Sequence, residues 1–538
     1  MLKKMLLVAA SVLAAPVLAQ VPSQFIAKQY SEALGRAPEP ASWQAASDYL
    51  RSAGCTQAVL TDFTVSIFNS TEYTSKAYIP EEQVLTAYRA VLGREPDPDG
   101  FNYWVSRMKA GVPIADIIRS LAGSPEFAGL KNAICDDPAY GPATYTAPHP
   151  IDNKVWTQAQ LESCLQANTV CSVPPRTIVR VNSTVTIPAG KTLETAGGPG
   201  RRMYARQARI VRHTRALPGT LLLMKAGSTV RNIWVSGGRD NPDFVNTPFP
   251  TGGEPIDRVY PNINYVGGNY GVISGVRSDA PLSATHIATY PVPFPTTAPS
   301  ASSFQGIVTI QDNLTTGYFH KHYETTTPVS WADGISSHVN SAIISNNDII
   351  DPTDVGIVIF GHSNSEQRST ASNNVIVHAG HSAYGSIGLD TTNCNFSSYN
   401  TCRFSGTGFT NNTIFGGKKQ HSDIMLINGT AGWGETKCSE TDNRNCGTGG
   451  QMSGNRTILG DNNQIIPVQI AIHVDGMLNA VTSGNALGVN PIDGASIRQG
   501  AKQSCFKGSM IVNARPLRAS GSLQSGADAY VSGTCVVH

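Results

Sequence analysis

The chain has 538 residues, only 14% of them charged, and a formal net charge of +2 that becomes zero once Lys3 and Lys4 are set aside. That balance, with no basic run, excludes a nucleic-acid surface. The length allows two or more domains, and abundant Gly, Ser, Thr and Asn favour turn-rich β structure.

Residues 1–19 read as a secretory signal. Lys3 and Lys4 precede an apolar run from Met5 to Leu18, and Val17-Leu18-Ala19 has the small-residue character of a cleavage site. The run is too short for a comfortable span, and no later segment is long and apolar enough to cross a bilayer. The expected location is therefore secreted, either periplasmic or extracellular. Ten cysteines fit that compartment. Spacing pairs Cys164 with Cys171, Cys394 with Cys402, Cys438 with Cys446 and Cys505 with Cys535, which leaves Cys55 and Cys135. Zinc is the weaker reading, because there is no CxxC pair and no Cys/His cluster of zinc spacing.

Residues 20–140 form a duplicated helical domain. "AKQYSEALGRAPEPASW" (27–43) is echoed by "LTAYRAVLGREPDPDGFNYW" (85–104), and "NSTEY" (69–73) by "GSPEF" (123–127). Val84, Leu85, Tyr88, Val91 and Leu92 recur at helical spacing. Gly93 stops that helix, a Pro turn opens the next, and Ser124-Pro125 has N-cap and N1 character. "LGREPDPDGFNYW" resembles a bacterial family of unknown function built on LGR-x-PD-x-x-G-x-x-YW. The resemblance implies attachment to a cell surface or matrix, or a spacer, rather than chemistry. Tyr103 and Trp104 serve either as core or as a sugar platform.

From 145 to 500 short β-branched strands alternate with polar turns, after one amphipathic helix at 157–168. Asn-bearing turns recur in "ISNNDII", "SNNVIV", "TNNTIF", "SGNRTIL" and "SGNALG", and Asn tolerates the left-handed backbone of a sharp turn. Asn347, Asn374, Asn412, Asn455 and Asn485 are expected to stack rung on rung. The fold class is mainly β: a parallel β-helix, or solenoid, behind an N-terminal all-α domain. The helix at 157–168 caps the open end of its core, and 501–538 forms a C-terminal cap with its own disulfide. "STVTIPAGKTL" and "AGSTVRNIWVSGG" resemble the first coils of the right-handed β-helices of the pectin-lyase-like superfamily.

Five strands align by their apolar positions: 335–340, 357–362, 387–392, 425–430 and 470–475. Alternation then places His338, Phe360, Asp390, Asn428 and His473 in one outward column, and His362 and Asp475 in the next. This strip is the candidate site. His338, His362, His473, Asp390 and Asp475 are candidate acids and bases, because a carboxylate beside an imidazole tunes proton transfer near neutral pH. Phe360 offers a face to a sugar ring, and Asn428, Arg368 and Asp333 complete the binding set. "FHKHYE" (319–324) adds Lys321 as an alternative base, and Arg231 or Arg277 could neutralise a substrate carboxylate. Asp351-Pro-Thr-Asp354 resembles the DPHD signature of mannuronan C5-epimerases with Thr353 in place of His, and a turn-forming Asp-Pro is the competing reading.

The superfamily resemblance implies a secreted enzyme on a polysaccharide, acidic by expectation: a lyase first, with a glycoside hydrolase or uronan C5-epimerase as alternatives. Calcium held by Asp390 and Asp475 would be the cofactor of a lyase. A non-catalytic glycan-binding or surface protein is the reading from another class.

Overall fold

The structure is a computed structural model. It describes residues 21–136, 145–214, 219–246, 261–267, 270–282, 284–289, 307–317, 332–361, 366–380, 383–391, 402–416, 422–429, 447–457, 466–478, 481–483, 485, 489–491 and 514–517.

The duplication is legible in three dimensions. In each copy a helix ends on a glycine in the left-handed region, Gly35 (φ 69) and Gly93 (φ 68), as a chain reversal without a Cβ penalty requires. The following arginine then forks onto a glutamate near the end of its own copy. Arg36 reaches Glu72 at 2.7 and 2.7 Å, and Arg94 reaches Glu126 at 2.6 and 2.8 Å. Ser70 and Ser124 cap the helices that carry those glutamates, accepting the N–H groups of Tyr73 and Phe127. The paired motifs thus encode one reversal and one bidentate clamp, used twice. A Cys55–Cys135 disulfide ties the two copies together.

The remainder is a prism of parallel strands, a parallel β-helix with three faces. Every strand pairing between coils is parallel, and each side chain-bearing rung lies ~4.8 Å from the next. The helix Gln158–Ala167, capped by Thr157 in a capping box, inserts Leu161 and Leu165 into the first coil's core. It therefore covers the end of the apolar column, as expected.

At one corner the core holds a ladder of asparagines. Each Oδ1 accepts both the backbone N–H and the Nδ2 of the preceding rung, at 2.9–3.1 Å, along Asn313, Asn347, Asn374, Asn412, Asn455 and Asn485. Stacking is as expected, but the two roles assigned to one asparagine are divided between neighbours. The residue before each ladder position takes the left-handed turn: Asp312, Asn346, Asn373, Asn411 and Gly454, at φ 56 to 65. The second residue turns inward and is fully buried.

The faces differ in what covers them, and the burial of alternate residues shows it. On the first, from Val155–Thr157 to Arg456–Thr457, strands such as Ala208–Arg212 and Ile233–Ser236 are buried on both sides, because the helical domain lies on their outer surface. Trp43 meets Phe415 at 5.6 Å, and Glu32 takes Arg89 and Arg277 at 2.7 and 2.6 Å. Asp348 accepts the Ala37 N–H at 2.9 Å. The second face runs from Val185–Ile187 to Ile466–Leu478 and carries the candidate strip. The third, from Val170–Val173 to Val481–Ser483, alternates cleanly between buried and exposed positions.

Candidate functional site

The strip lies on the second face, and the strand register decides its membership. Ile335, Ile357, Ile387 and Leu426 stack as one inward column, and Ile472 is next in backbone register with Leu426. The expected alignment holds for the first three strands and fails for the last two, by one residue at 425–430 and two at 470–475. Because side chains alternate, a one-residue slip turns a residue to the opposite side. Asn428 therefore stacks on Leu389 and faces the core; both its amide atoms are buried without a hydrogen-bond partner. His473 aligns with Ile427 rather than with Asp390. The outward column is His338, Phe360, Asp390 and Gly429, with Asp475 next in backbone register.

Nor is the strip an open surface. His338 is 4% exposed, Asp390 is fully buried and Phe360 is half-buried. The next outward column carries Ser336, Val358, Gly388 and Ile427, and Val358 and Ile427 are buried too. Apolar outward positions belong to a face with another layer on it, and alternation alone assumes one wet side.

What the fold does bring together is a small acidic site. Gly334 sits where a Cβ would meet the Gly356 carbonyl oxygen at 2.4 Å and the core side chain of Ile349 at 2.6 Å. The strand can make that approach only with glycine. The preceding residue, Asp333, is thereby set beside Ser336, whose hydroxyl donates to Asp333 Oδ2, while the Val355 N–H donates to Oδ1 at 2.9 Å. Burial pushes the Asp333 carboxyl up to about 7; the Ser336 and Val355 hydrogen bonds oppose this, and the Asp390 charge adds to it. Two rungs along the same face, Asp390 stands above Phe360, and His338 lies flat on the Phe360 ring, 4.2 Å between centroids and 15° between planes. A carboxyl pushed up by burial, a second buried carboxyl group, an imidazole and an aromatic face thus lie on three successive rungs of one face, with Asp333 five residues along the strand from the His338, Phe360 and Asp390 column.

Other candidates are placed elsewhere. Arg368 is exposed at the edge of the third face and pairs with Glu366 at 3.1 Å. Arg231 pairs with Glu194 at 2.6 Å, and Arg277 is buried against Glu32 under the helical domain. Those two therefore serve structure rather than a substrate carboxylate. Asp351 is a turn residue (φ 53) whose Oδ1 accepts the N–H groups of Ala379 and Gly380 at 2.7 and 2.9 Å, so the Asp-Pro reading stands. Tyr103 is exposed and Trp104 half-buried against the helical core. His362 and Lys321 lie outside the described residues, as do Cys394, Cys438, Cys446, Cys505 and Cys535. Cys164–Cys171 is bridged, and Cys402 is disulfide-bonded. Among the described residues no three His, Cys, Asp or Glu groups are gathered to hold a metal. In register Asp475 pairs with Gly429, two rungs from Asp390, and the Asp475 side chain lies outside the described residues. No described helix is long and apolar enough to cross a membrane.

Sequence reasoning named Asp333 but missed what sets it. The spacing of 333–336 gave no signal for it, because in a regular strand residues three apart point to opposite faces.

Residues 64–131 match the family described as a domain of unknown function, DUF4214. Among solved structures the chain is similar to the Dettilon tailspike protein (gp208), at 14% identity and a TM-score of 0.30, over 71% of this chain and 77% of that one. No curated protein matches.

Proposed function

We propose that the second face carries the active site of a glycoside hydrolase acting on a polysaccharide. The observation that carries this reading is the carboxyl pair Asp333 and Asp390, with Asp333 pushed up towards neutrality by burial and by the Asp390 charge. Glycosidic hydrolysis uses two carboxyl groups whose environments drive their proton affinities apart: one protonated to meet the leaving oxygen, one charged to serve as base or nucleophile. Asp333 supplies the proton. Asp390 supplies the charge. Phe360 offers the edge of the platform that a sugar ring needs, backed by the His338 ring.

The lyase reading places the base at His338, which would take the proton beside the uronate carboxylate. It has support in the position of His338 one rung from Phe360. It is the second reading because the Asp390 charge would repel an acidic substrate.

A panel of neutral and acidic polysaccharides, followed both by new reducing ends and by the ultraviolet absorbance of an unsaturated uronic product, separates the two. Hydrolysis predicts reducing ends without absorbance, and loss of ~10²–10⁴-fold in rate for Asp333→Asn and for Asp390→Asn. Absorbance lost in His338→Gln would establish the lyase instead. Binding without turnover on every polymer would make the protein a glycan-binding module.

A further inference from the structure

Two faces of the prism are buried at outward positions, one of them under the helical domain. The third is exposed at alternate positions among the described residues. Its stacked outward positions include Val272, Thr309, Ile343, Thr370, Gln451 and Val481, in register from rung to rung. Ile343 is 48% exposed and Val481 46%, and at the edge Ile307 and Tyr270 are exposed as well. The neighbouring outward column, through Ser345 and Ser372, is all Ser, Thr and Gln from Ser274 onward. No Asp, Glu, Lys or Arg stands in either column from Val272 to Val481.

We propose that this face packs against the same face of a second copy of the chain. A two-fold axis sets the face against itself, so a net charge on it would meet the same net charge on the partner. These two columns carry none over those rungs, and the Glu194–Arg231 pair nearer the first coil and the Glu366–Arg368 pair at the edge are each neutral as a pair. Its backbone donors and acceptors are already used between rungs, so contact is face to face through side chains at ~10 Å, as between the layers of a sandwich. The size suffices. Ten rungs at ~4.8 Å and four residues at ~3.3 Å give roughly 600 Å² of projected area per copy, or ~1,200 Å² in all, the lower limit of a stable interface. β-Branched methyls supply the apolar contact, and the hydroxyls beside them can pair across the axis.

The test is sedimentation velocity on the full chain over a concentration series, with wild type, Ile343→Lys/Thr370→Lys and Ser345→Arg. The expected result is a wild-type dimer, and a dissociation constant raised at least tenfold in each variant. Circular dichroism should not change, because the substituted side chains project outward. A wild type that is monomeric at every concentration overturns the proposal, and so does a dimer that survives both variants. A monomer that binds a soluble polysaccharide, and loses it in Ile343→Lys, overturns it in favour of a glycan track. Because none of these residues belongs to the second face, turnover on any polymer is independent of the outcome.

Discussion

Replacing Asn374 by Ala removes one rung of the asparagine ladder and tests how the solenoid is held. Asn374 Oδ1 accepts the Asn347 backbone N–H at 3.0 Å and Asn347 Nδ2 at 2.9 Å. Its own Nδ2 donates to the Ile344 carbonyl at 3.0 Å and to Asn412 Oδ1 at 2.9 Å. The alanine leaves three buried groups without this partner: the Asn347 N–H, one Asn347 amide hydrogen and the Ile344 carbonyl. Asn412 Oδ1 keeps the backbone N–H of residue 374. Each orphaned buried group costs ~1–3 kcal/mol, so the substitution should destabilise by about 3–6 kcal/mol, less if a water enters the gap. Asn373, one residue earlier, is the control. It supplies the left-handed turn (φ 56) and no rung of the ladder, and Asn373→Gly should change stability by less than ~1 kcal/mol. Denaturant unfolding followed by circular dichroism, on both variants and wild type, measures the difference. An Asn374→Ala cost below ~1 kcal/mol, equal to that of Asn373→Gly, would refute the claim that the ladder, rather than the turn, is what the second asparagine contributes.

Glu32→Ala should cost about 3–5 kcal/mol, because it removes the carboxylate shared by the buried guanidinium groups of Arg89 and Arg277 and leaves them on Glu95 and Asp279 alone; thermal melting against wild type checks this. Burial alone would raise the Glu32 carboxyl, but Arg277 and Arg89 outweigh it and hold it at about 2. Its folded affinity for the proton is depressed, so the stability is present above the ordinary glutamate range and is lost as pH falls towards 2. Wild type should lose about 3 kcal/mol more than Glu32→Gln over that window. Asp333 has the opposite sign. Its raised value means stability is full below the ordinary aspartate range and falls as pH rises towards 7, so Asp333→Asn should be more stable than wild type at pH 8 by up to ~4 kcal/mol while losing turnover. Equal stability at pH 8, measured in urea, would remove the case for a buried proton donor. Cys55–Cys135 closes 80 residues, so Cys55→Ala/Cys135→Ala should lower the stability of the helical domain by ~4 kcal/mol, read by denaturant unfolding.

The sequence by itself determined the repeat units. Gly35-Arg36 and Gly93-Arg94 each encode a reversal and a clamp, and the SNN and TNN turns encode a left-handed residue followed by an inward amide. These are local and recurring, so chain order alone exposes them, and with them the parallel β-helix behind a helical domain. Two things were beyond its reach. Register was one: "MLINGT" and "IAIHVD" each offer more than one apolar phase, and only pairing with the rungs beneath put Asn428 inside and Gly429 beside Asp390. The other was cover. Strand alternation reports which side of a residue meets the core, but not whether its other side meets water. That depended on the helical domain folding back through Glu32, Trp43 and Ala37 onto strands far along the chain, and on a second face buried on both sides. Contacts between elements hundreds of residues apart leave no period in the sequence, so tertiary structure alone decided that Asp333 and Asp390 are buried, and that one face of three is exposed at alternate positions.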